Sequence, residues 1–264
     1  MKSVVNIAIA ITLVFISFFE VVGQGASVSP TKIFFDLTPG SSKTQKITLS
    51  NNGNFREKYN ISIGDWTRDS LGQKIYYSGN TLSSSCANWI TLSENLVELN
   101  PGESKQIDLI MKRPSGTEEA VKWAILFIEP TQEVVPGENA SNLQSKINVK
   151  YRIGVLLYQA PPTLSYKNVD ILNFKVIDGK KVFLKVKNTE QTMADARVNF
   201  ELVNLSNGQE FDIEEKGISI LPLAMRVANI DLPNLPAGEY SLLAIIDYGM
   251  EYDIVAAETE FVIK

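Results

Sequence analysis

The sequence offers few side chains for acid–base or nucleophilic chemistry. It has 264 residues, no histidine and a single cysteine, so the commonest general base and metal ligand is missing. Serine and lysine stand close together only in turns such as Ser41–Lys43 and Ser104–Lys105. At such positions solvated turn residues are expected, rather than a nucleophile with its base. We therefore predict that the protein is not an enzyme.

The carboxylates and the cysteine support the same prediction. Asp65, Asp69, Asp247 and Asp253 are scattered singly, without the Asp-x-Asp spacing of a calcium loop or the paired carboxylates of a glycosidase. We predict no metal site and no cofactor. Cys86, in SSSCANWI, is either a small core residue or a free thiol, and burial is the favoured interpretation.

The charge distribution argues against a nucleic-acid partner. The net charge is −5, and the acidic excess lies in the second half of the chain. Neither half has the basic excess that is typical of nucleic-acid-binding proteins.

The N-terminus is typical of a signal peptide. Met1-Lys2 is followed by the uncharged, mostly apolar run from Val4 to Phe19 and then by small residues. This run of about 16 residues is shorter than the roughly 20 that a spanning helix needs. We predict residues 1–25 to be a signal peptide cleaved near Gly23, Gln24 or Gly25, with a retained N-terminal anchor as the alternative. The mature chain is then exported, to the periplasm or, alternatively, the cell surface, and is not an integral membrane protein.

The rest of the chain follows a period of two, with turns at short intervals, which is typical of short β-strands. Pro39-Gly40 and Pro101-Gly102 each lead into an alternating strand, and Asn207-Gly208 is typical of a hairpin turn. Val121–Ile128 is apolar on both faces and predicts a central strand. The fold class is therefore all-β, with two immunoglobulin-like β-sandwich domains in tandem over 26–160 and 161–264. Core positions are expected for Trp66, Trp89 and Trp123.

One strand is a candidate binding surface. The polar segment Thr131–Ser145 is long for a loop in a compact domain. After it, alternating apolar side chains run up to the stiff Pro161-Pro162. Such a row either packs into its own core or, on a strand that pairs with an incoming chain, fills the core of a client. The residues of the row are Ile147, Val149, Tyr151, Ile153, Val155 and Leu157.

The order of segments in the first half resembles the periplasmic pilus-assembly chaperones of the PapD-like family. The resemblance rests on SVSPTKIFFDLTPG, KITLSNNG, YNISIGDW, ANWITLSENLVELNPGESKQIDLIMK, EEAVKWAILFIEP and INVKYRIGVLLYQAPP, and extends from Ala26 to about Pro162. It implies two immunoglobulin-like domains, donation of the last strand of the first domain, and exported partner subunits of the pilin kind.

The resemblance also implies two basic residues in the interdomain cleft that anchor a client's C-terminal carboxylate. The first falls on Lys32, and the donor-strand stretch falls on Arg152-Ile153-Gly154, with Arg152 as the second cleft residue. Gly154 stands where the family keeps a lysine, which is a departure from the family's pattern.

A second class of function stays open. The segments LPAGEYSLLAIIDYG and AAETEFVIK are similar to surface-protein modules of Gram-positive bacteria that bind peptidoglycan or partner proteins. This similarity implies a non-chaperone adhesion or scaffolding protein at the cell surface.

Overall fold

A computed structural model describes residues 25–131, 151–249 and 252–264. The described residues form eighteen strands and one short 3-10 helix, Ala87–Trp89, with no α-helix among them. The strands make four sheets, two from the first half of the chain and two from the second. The predicted all-β class with two sandwiches is confirmed.

The first sandwich consists of the strands before Ala160. One of its sheets has the order β1-β3-β8-β6, and the other has the order β2-β10-β9-β4-β5, with β7 also pairing with β4. The strands are β1 Ala26–Ser29, β2 Lys32–Phe35, β3 Ser42–Asn51, β4 Glu57–Arg68, β5 Lys74–Ser78, β6 Ile90–Leu92, β7 Leu96–Leu99, β8 Ser104–Lys112, β9 Lys122–Pro130 and β10 Ile153–Gln159.

Alternation along the strands builds the core between these two sheets. Ile47 and Leu49 of β3 face inward from one sheet, and Ile61 of β4 and Leu126 of β9 face inward from the other. All four are buried, while their neighbours along β3 are more exposed. Cys86 is part of the same core, as expected, and burial raises the pKa of its thiol.

The segment SVSPTKIFF forms two strands that lie in different sheets. β1 pairs antiparallel with β3, whereas β2 pairs parallel with β10. Between them lies Pro30, whose nitrogen has no hydrogen to donate to a ladder. The chain therefore crosses from one sheet to the other within a few residues, and β2 becomes a partner of β10.

The predicted central strand is confirmed. β9 lies between β10 and β4 and pairs antiparallel with both. Six consecutive residues, Trp123 to Ile128, are buried, because one face of β9 lies in the core and the other face is covered by aromatic and apolar side chains.

The second sandwich begins at Val169, after the Pro161-Pro162 segment. Its sheets have the orders β11-β12-β16 and β14-β13-β17-β18, with β15 also pairing with β13. The Asn207-Gly208 turn joins β13 to β14, as predicted. The strands are β11 Val169–Ile177, β12 Lys181–Asn188, β13 Ala194–Asn204, β14 Glu210–Phe211, β15 Lys216–Ile220, β16 Met225–Asp231, β17 Gly238–Asp247 and β18 Val255–Ile263.

Candidate functional site: the edge of β10 and the cleft between the sandwiches

The two edges of β10 are paired to different extents. On one side β9 pairs with the whole strand, from Ile153 to Gln159. On the other side β2 pairs only with Leu156–Gln159. The segment Ile153–Val155 therefore has a ladder partner on one side alone among the described residues.

The backbone groups of Gly154 point toward this unpaired side. The amide N–H groups of Leu156 and Ala160 donate to Thr31 and Phe35 on the β2 side, at 3.0 and 2.9 Å. Backbone groups alternate between the two sides of a strand, so the N–H of Gly154 points the same way. It lies before Lys32, the first residue of β2 that pairs with β10.

The apolar row of β10 packs against its own domain. Val155 and Leu157 have no exposed surface and belong to the core of the first sandwich, and Ile153 is half-buried against the same core. Their side chains stabilise the first sandwich in this state and do not form an exposed apolar row. The Tyr151 hydroxyl donates to Glu57 Oε2 at 3.4 Å. Ile147 and Val149 lie outside the described residues.

Gly154 is on the opposite face of β10, with Leu156 and Tyr158. A Cβ at Gly154 would lie 2.8 Å from Cδ1 of Ile125, the terminal methyl of a buried side chain. Leu156 and Tyr158 pack in an apolar cluster on this outer face, together with Trp66. Gly154 therefore lies on the face that carries this cluster.

Lys32 and Arg152 are each engaged with a different carboxylate. Lys32 Nζ lies 3.1 Å from Oδ2 of Asp195, which belongs to β13 of the second sandwich. Arg152 forms an ion pair with Glu129 of the neighbouring β9, and its guanidinium carbon lies 4.4 Å from the centroid of the Phe127 ring. The two cations thus belong to separate ion pairs, only one of which joins the sandwiches.

An apolar cluster connects the sandwiches. Trp66 and Trp123 are buried on the outer face of the first sandwich, and Leu221 of the second sandwich belongs to the same cluster. The indole of Trp66 donates to the Ala124 carbonyl at 3.2 Å, and that of Trp123 donates to the Trp66 carbonyl at 2.8 Å. These two tryptophans are therefore buried as expected, but outside the core between the two sheets.

Among the scattered carboxylates, Asp65 has several local partners. Asp65 is fully buried and accepts hydrogen bonds from the amides of Thr81 and Leu82 and from the Ser85 hydroxyl, at 2.5 to 2.8 Å. It therefore holds the loop that follows β5. Within the parts of the chain that the structure describes, no three metal-ligating side chains cluster together.

The lysines near turn serines pair with carboxylates. Lys43 lies 2.6 Å from Asp36, and Lys105 lies 2.7 Å from Glu94. The hydroxyls of Ser41 and Ser104 have other partners, the Thr38 carbonyl and the Ser50 hydroxyl, each at 2.7 Å.

Sequence reasoning did not single out the basic residues that line the cleft. Arg68 lies at the end of β4 and Arg226 near the start of β16, and both line a cavity of about 710 Å³ between the sandwiches. The short TRDSLGQK turn places Arg68 opposite Lys74. This pairing of two basic residues is the feature of the sequence that could have drawn attention to Arg68. Arg226 carries no such signal, because its position in the cleft depends on how the sandwiches pack.

No protein-family model matches the sequence, and no curated protein is significantly similar to it. Solved structures of similar fold include the class 5 fimbriae chaperone CfaA, with 12% identity, a TM-score of 0.46 and coverage of 90% of this chain and 98% of that one. The E. coli chaperone DraB has 14% identity, a TM-score of 0.44 and coverages of 91% and 98%. A chain from the Salmonella enterica complex of SafA pilin with the SafB chaperone has 14% identity, a TM-score of 0.44 and coverages of 90% and 96%.

Within 25–131, 151–249 and 252–264 there is no helical stretch with the length and apolar character that crossing a membrane requires. Residues 1–24 of the predicted signal peptide lie outside the described residues.

Proposed function

We propose that this is an exported, non-catalytic chaperone-like protein that binds subunits of surface structures by β-strand addition at the unpaired edge of β10. The observation that carries the proposal is the one-sided pairing of Ile153–Val155, where β9 is present and β2 is not. An edge of this kind promotes aggregation unless it is covered, and pairing with a client strand would cover it.

Backbone groups would provide most of the affinity. A strand that adds to an exposed edge gains main-chain hydrogen bonds, and side chains that alternate along the edge set its register. The N–H of Gly154 points toward the open side of β10. Among the described residues, no backbone carbonyl on that side accepts a hydrogen bond from it.

The side chains that would meet a client lie early in the strand. Val155 and Leu157 contribute to the core of the first sandwich, so a client would contact Ile153 and the residues that precede it. Tyr151, Val149 and Ile147 continue the same row toward the Thr131–Ser145 segment. We assign the client-facing role to this part of the row.

Lys32 and Arg152 would assist at the cleft. Each is now paired with a carboxylate, and both pairs are partly exposed, so a carboxylate of a client could replace Asp195 or Glu129 at small cost. This role rests on the sequence resemblance and on the position of Lys32 beside the cleft.

The test compares two substitutions at one residue. Gly154→Pro removes the amide hydrogen on the unpaired side, whereas Gly154→Ala adds a Cβ near Ile125 and keeps the hydrogen. Tagged mature wild-type protein and both variants are incubated with the native envelope fraction, and the polypeptides retained are identified. We expect the wild-type and alanine proteins to retain the same exported polypeptides and the proline variant to lose them.

Hydrogen exchange on the wild-type complex provides a second readout. We expect a retained client to protect the Gly154 amide and to leave the amides that donate to β9 unchanged. Equal retention by the folded proline variant, or an unprotected Gly154 amide in the complex, would falsify strand addition at this edge. Retention of peptidoglycan fragments in place of polypeptides would support the surface-protein alternative.

A further inference from the structure

Three basic side chains meet at one end of the cleft. Arg68 ends β4, Lys74 begins β5, and the two residues are direct cross-strand partners. Like charges in such positions repel each other. Arg226 comes from β16 of the second sandwich, and burial together with the positive charge of Arg68 lowers its pKa. Burial and Arg68 also lower the pKa of Lys74.

Unlike Lys32, these three cations form no ion pair with a carboxylate among the described residues. Among the described residues, no ion pair joins Arg68, Lys74 or Arg226 to an aspartate or glutamate, whereas Lys32 pairs with Asp195. Burial without a counter-charge is unfavourable for a cation. Asp69 lies near enough to offset part of the repulsion on Arg226, but in the described part of the chain it forms no ion pair with it.

The two guanidinium groups also have unused donors. Arg68 donates from Nη1 to the Ser219 carbonyl at 3.2 Å, and Arg226 donates from Nη1 to the Ser70 carbonyl at 3.3 Å. In each case Nε is buried and has no hydrogen-bond partner among the described residues. A guanidinium has five N–H donors in a rigid fork, so each arginine keeps donors for a further acceptor.

A cavity adjoins both arginines. It has a volume of about 710 Å³ and is lined by residues of both sandwiches. Its charged lining residues are three arginines, Arg68, Arg197 and Arg226, and two aspartates. Asp195 pairs with Lys32, and Asp247 accepts a hydrogen bond from the Gly249 amide. The lining therefore has an excess of positive charge.

The turn beside the cavity is shaped around Arg226. Gly72 has a φ of +96°, and a Cβ there would lie 2.0 Å from Nη1 of Arg226. Only a residue without a side chain lets the guanidinium approach the turn this closely.

We propose that Arg68 and Arg226 form an oxyanion-binding site that joins the two sandwiches. The ligand is an anion with at least two acceptor oxygens, either a carboxylate or a tetrahedral phosphate or sulfate, since the guanidinium fork matches both. Lys74 adds positive charge. The site uses neither the β10 edge nor Lys32 or Arg152, although Asp195, the partner of Lys32, lines the same cavity.

Isothermal titration of the mature protein with inorganic phosphate, sulfate and acetate tests the site. Each titration is run at matched ionic strength in chloride. We expect one anion per chain and affinity at least about tenfold lower for Arg68→Gln and Arg226→Gln, the effect of losing one charge-assisted hydrogen bond. Stronger binding of acetate would indicate a carboxylate ligand, and stronger binding of phosphate or sulfate a tetrahedral one.

Arg56→Gln is the matched control, because Arg56 is an exposed arginine of the first sandwich that pairs with Glu98. Its anion affinity should equal that of the wild type. Protection from phenylglyoxal, measured by mass spectrometry on the wild-type protein, avoids any folding defect of the variants. The preferred anion should protect Arg68 and Arg226 but not Arg56. Absence of binding, equal affinity in all folded variants, or equal protection of all three arginines would overturn the proposal.

Discussion

At the scale of single residues, the environment of Lys32 favours a carboxylate partner, and Asp195 already occupies that place. Its ammonium lies 5.1 Å from the centroid of the Phe34 ring and 5.4 Å from that of Tyr158, as well as 3.1 Å from Asp195. Aromatic faces favour a cation, and the opposite charge of Asp195 orients it. The residue that the sequence resemblance selects as a carboxylate anchor thus binds a carboxylate of its own second sandwich.

The Lys32–Asp195 pair predicts a small acid dependence of stability. Burial raises the pKa of Asp195, but hydrogen bonds from Ser219 and Lys32 and the charge of Lys32 outweigh it, so the net shift is downward. A lowered folded-state pKa contributes stability above the unfolded-state pKa of about 4, and this contribution is lost as the pH falls through the folded-state value. The side chains of Lys32 and Asp195 are 35% and 57% exposed, so the contribution stays below about 1 kcal/mol.

The measurement is urea unfolding at pH 7 and pH 3. The loss of unfolding free energy between the two pH values should be smaller in Asp195→Asn than in the wild type. Asp212→Asn, at an exposed site of the same sandwich, should retain the wild-type loss. An acid dependence of Asp195→Asn equal to that of the wild type would show that the pair contributes nothing.

At the scale of elements, the turn between β4 and β5 is part of the contact between the sandwiches. The carbonyl of Ser70 accepts a hydrogen bond from the Val227 amide at 2.6 Å and another from Arg226. The hairpin of the first sandwich thereby holds the beginning of β16 in the second. Close approach at Gly72 is part of this contact, because Arg226 fills the space where a side chain would lie.

Gly72→Ala should destabilise the protein by more than a positive φ alone explains. Alanine at φ +96° costs about 1 kcal/mol or more, and its Cβ must also displace Arg226. Gly102→Ala is the matched control, since Gly102 has a φ of +75° with no atom within 4 Å of the added Cβ. Urea unfolding should give a larger loss for Gly72→Ala. Equal losses for the two variants would mean that Arg226 moves away freely.

The periodicity of the sequence predicts several elements correctly. The doubly apolar pattern of Val121–Ile128 identifies β9 as central, and the Pro39-Gly40 and Pro101-Gly102 turns come just before β3 and β8. A period of two also predicts the regular strand at β10. These features are local, so neighbouring residues are enough to specify them.

The same periodicity cannot tell which partner an apolar row meets. The row of β10 alternates equally well whether it packs into its own core or against a client, and the burial of Val155 and Leu157 is decided by β3 and β8 across the sandwich. The period of two cannot show that SVSPTKIFF is divided between two sheets either, because more and less buried positions alternate in both halves. The Arg68–Arg226 proximity depends on residues 158 positions apart.

At the scale of the whole molecule, an apolar cluster makes the two sandwiches depend on each other. Trp66, Trp123 and Tyr158 of the first sandwich are buried with Leu221 of the second, which is 4% exposed. Two of the three tryptophans thus serve the contact between the sandwiches rather than the core of one. Burial of this apolar surface is lost if the sandwiches separate, so their unfolding should be coupled.

Leu221→Ala should weaken this coupling. Truncating a buried leucine typically costs about 2–5 kcal/mol, and here the loss falls on the contact between the sandwiches. All three tryptophans lie in the first sandwich, two of them at the contact, so their fluorescence reports unfolding of that sandwich and loss of the contact, whereas far-ultraviolet circular dichroism reports both sandwiches. In the wild type the two transitions should coincide in urea, as expected of one cooperative unit.

In Leu221→Ala we expect the two transitions to separate, because each sandwich retains its own core and loses only the shared cluster. Leu205→Ala, at an exposed leucine of the second sandwich, is the control and should keep the transitions together. Transitions that are already separate in the wild type would show that the cluster does not couple the sandwiches. In that case the two sandwiches would move relative to each other, and the distance between Arg68 and Arg226 would vary. An oxyanion bound by both arginines would then link the sandwiches, and adding it should make the two unfolding transitions coincide.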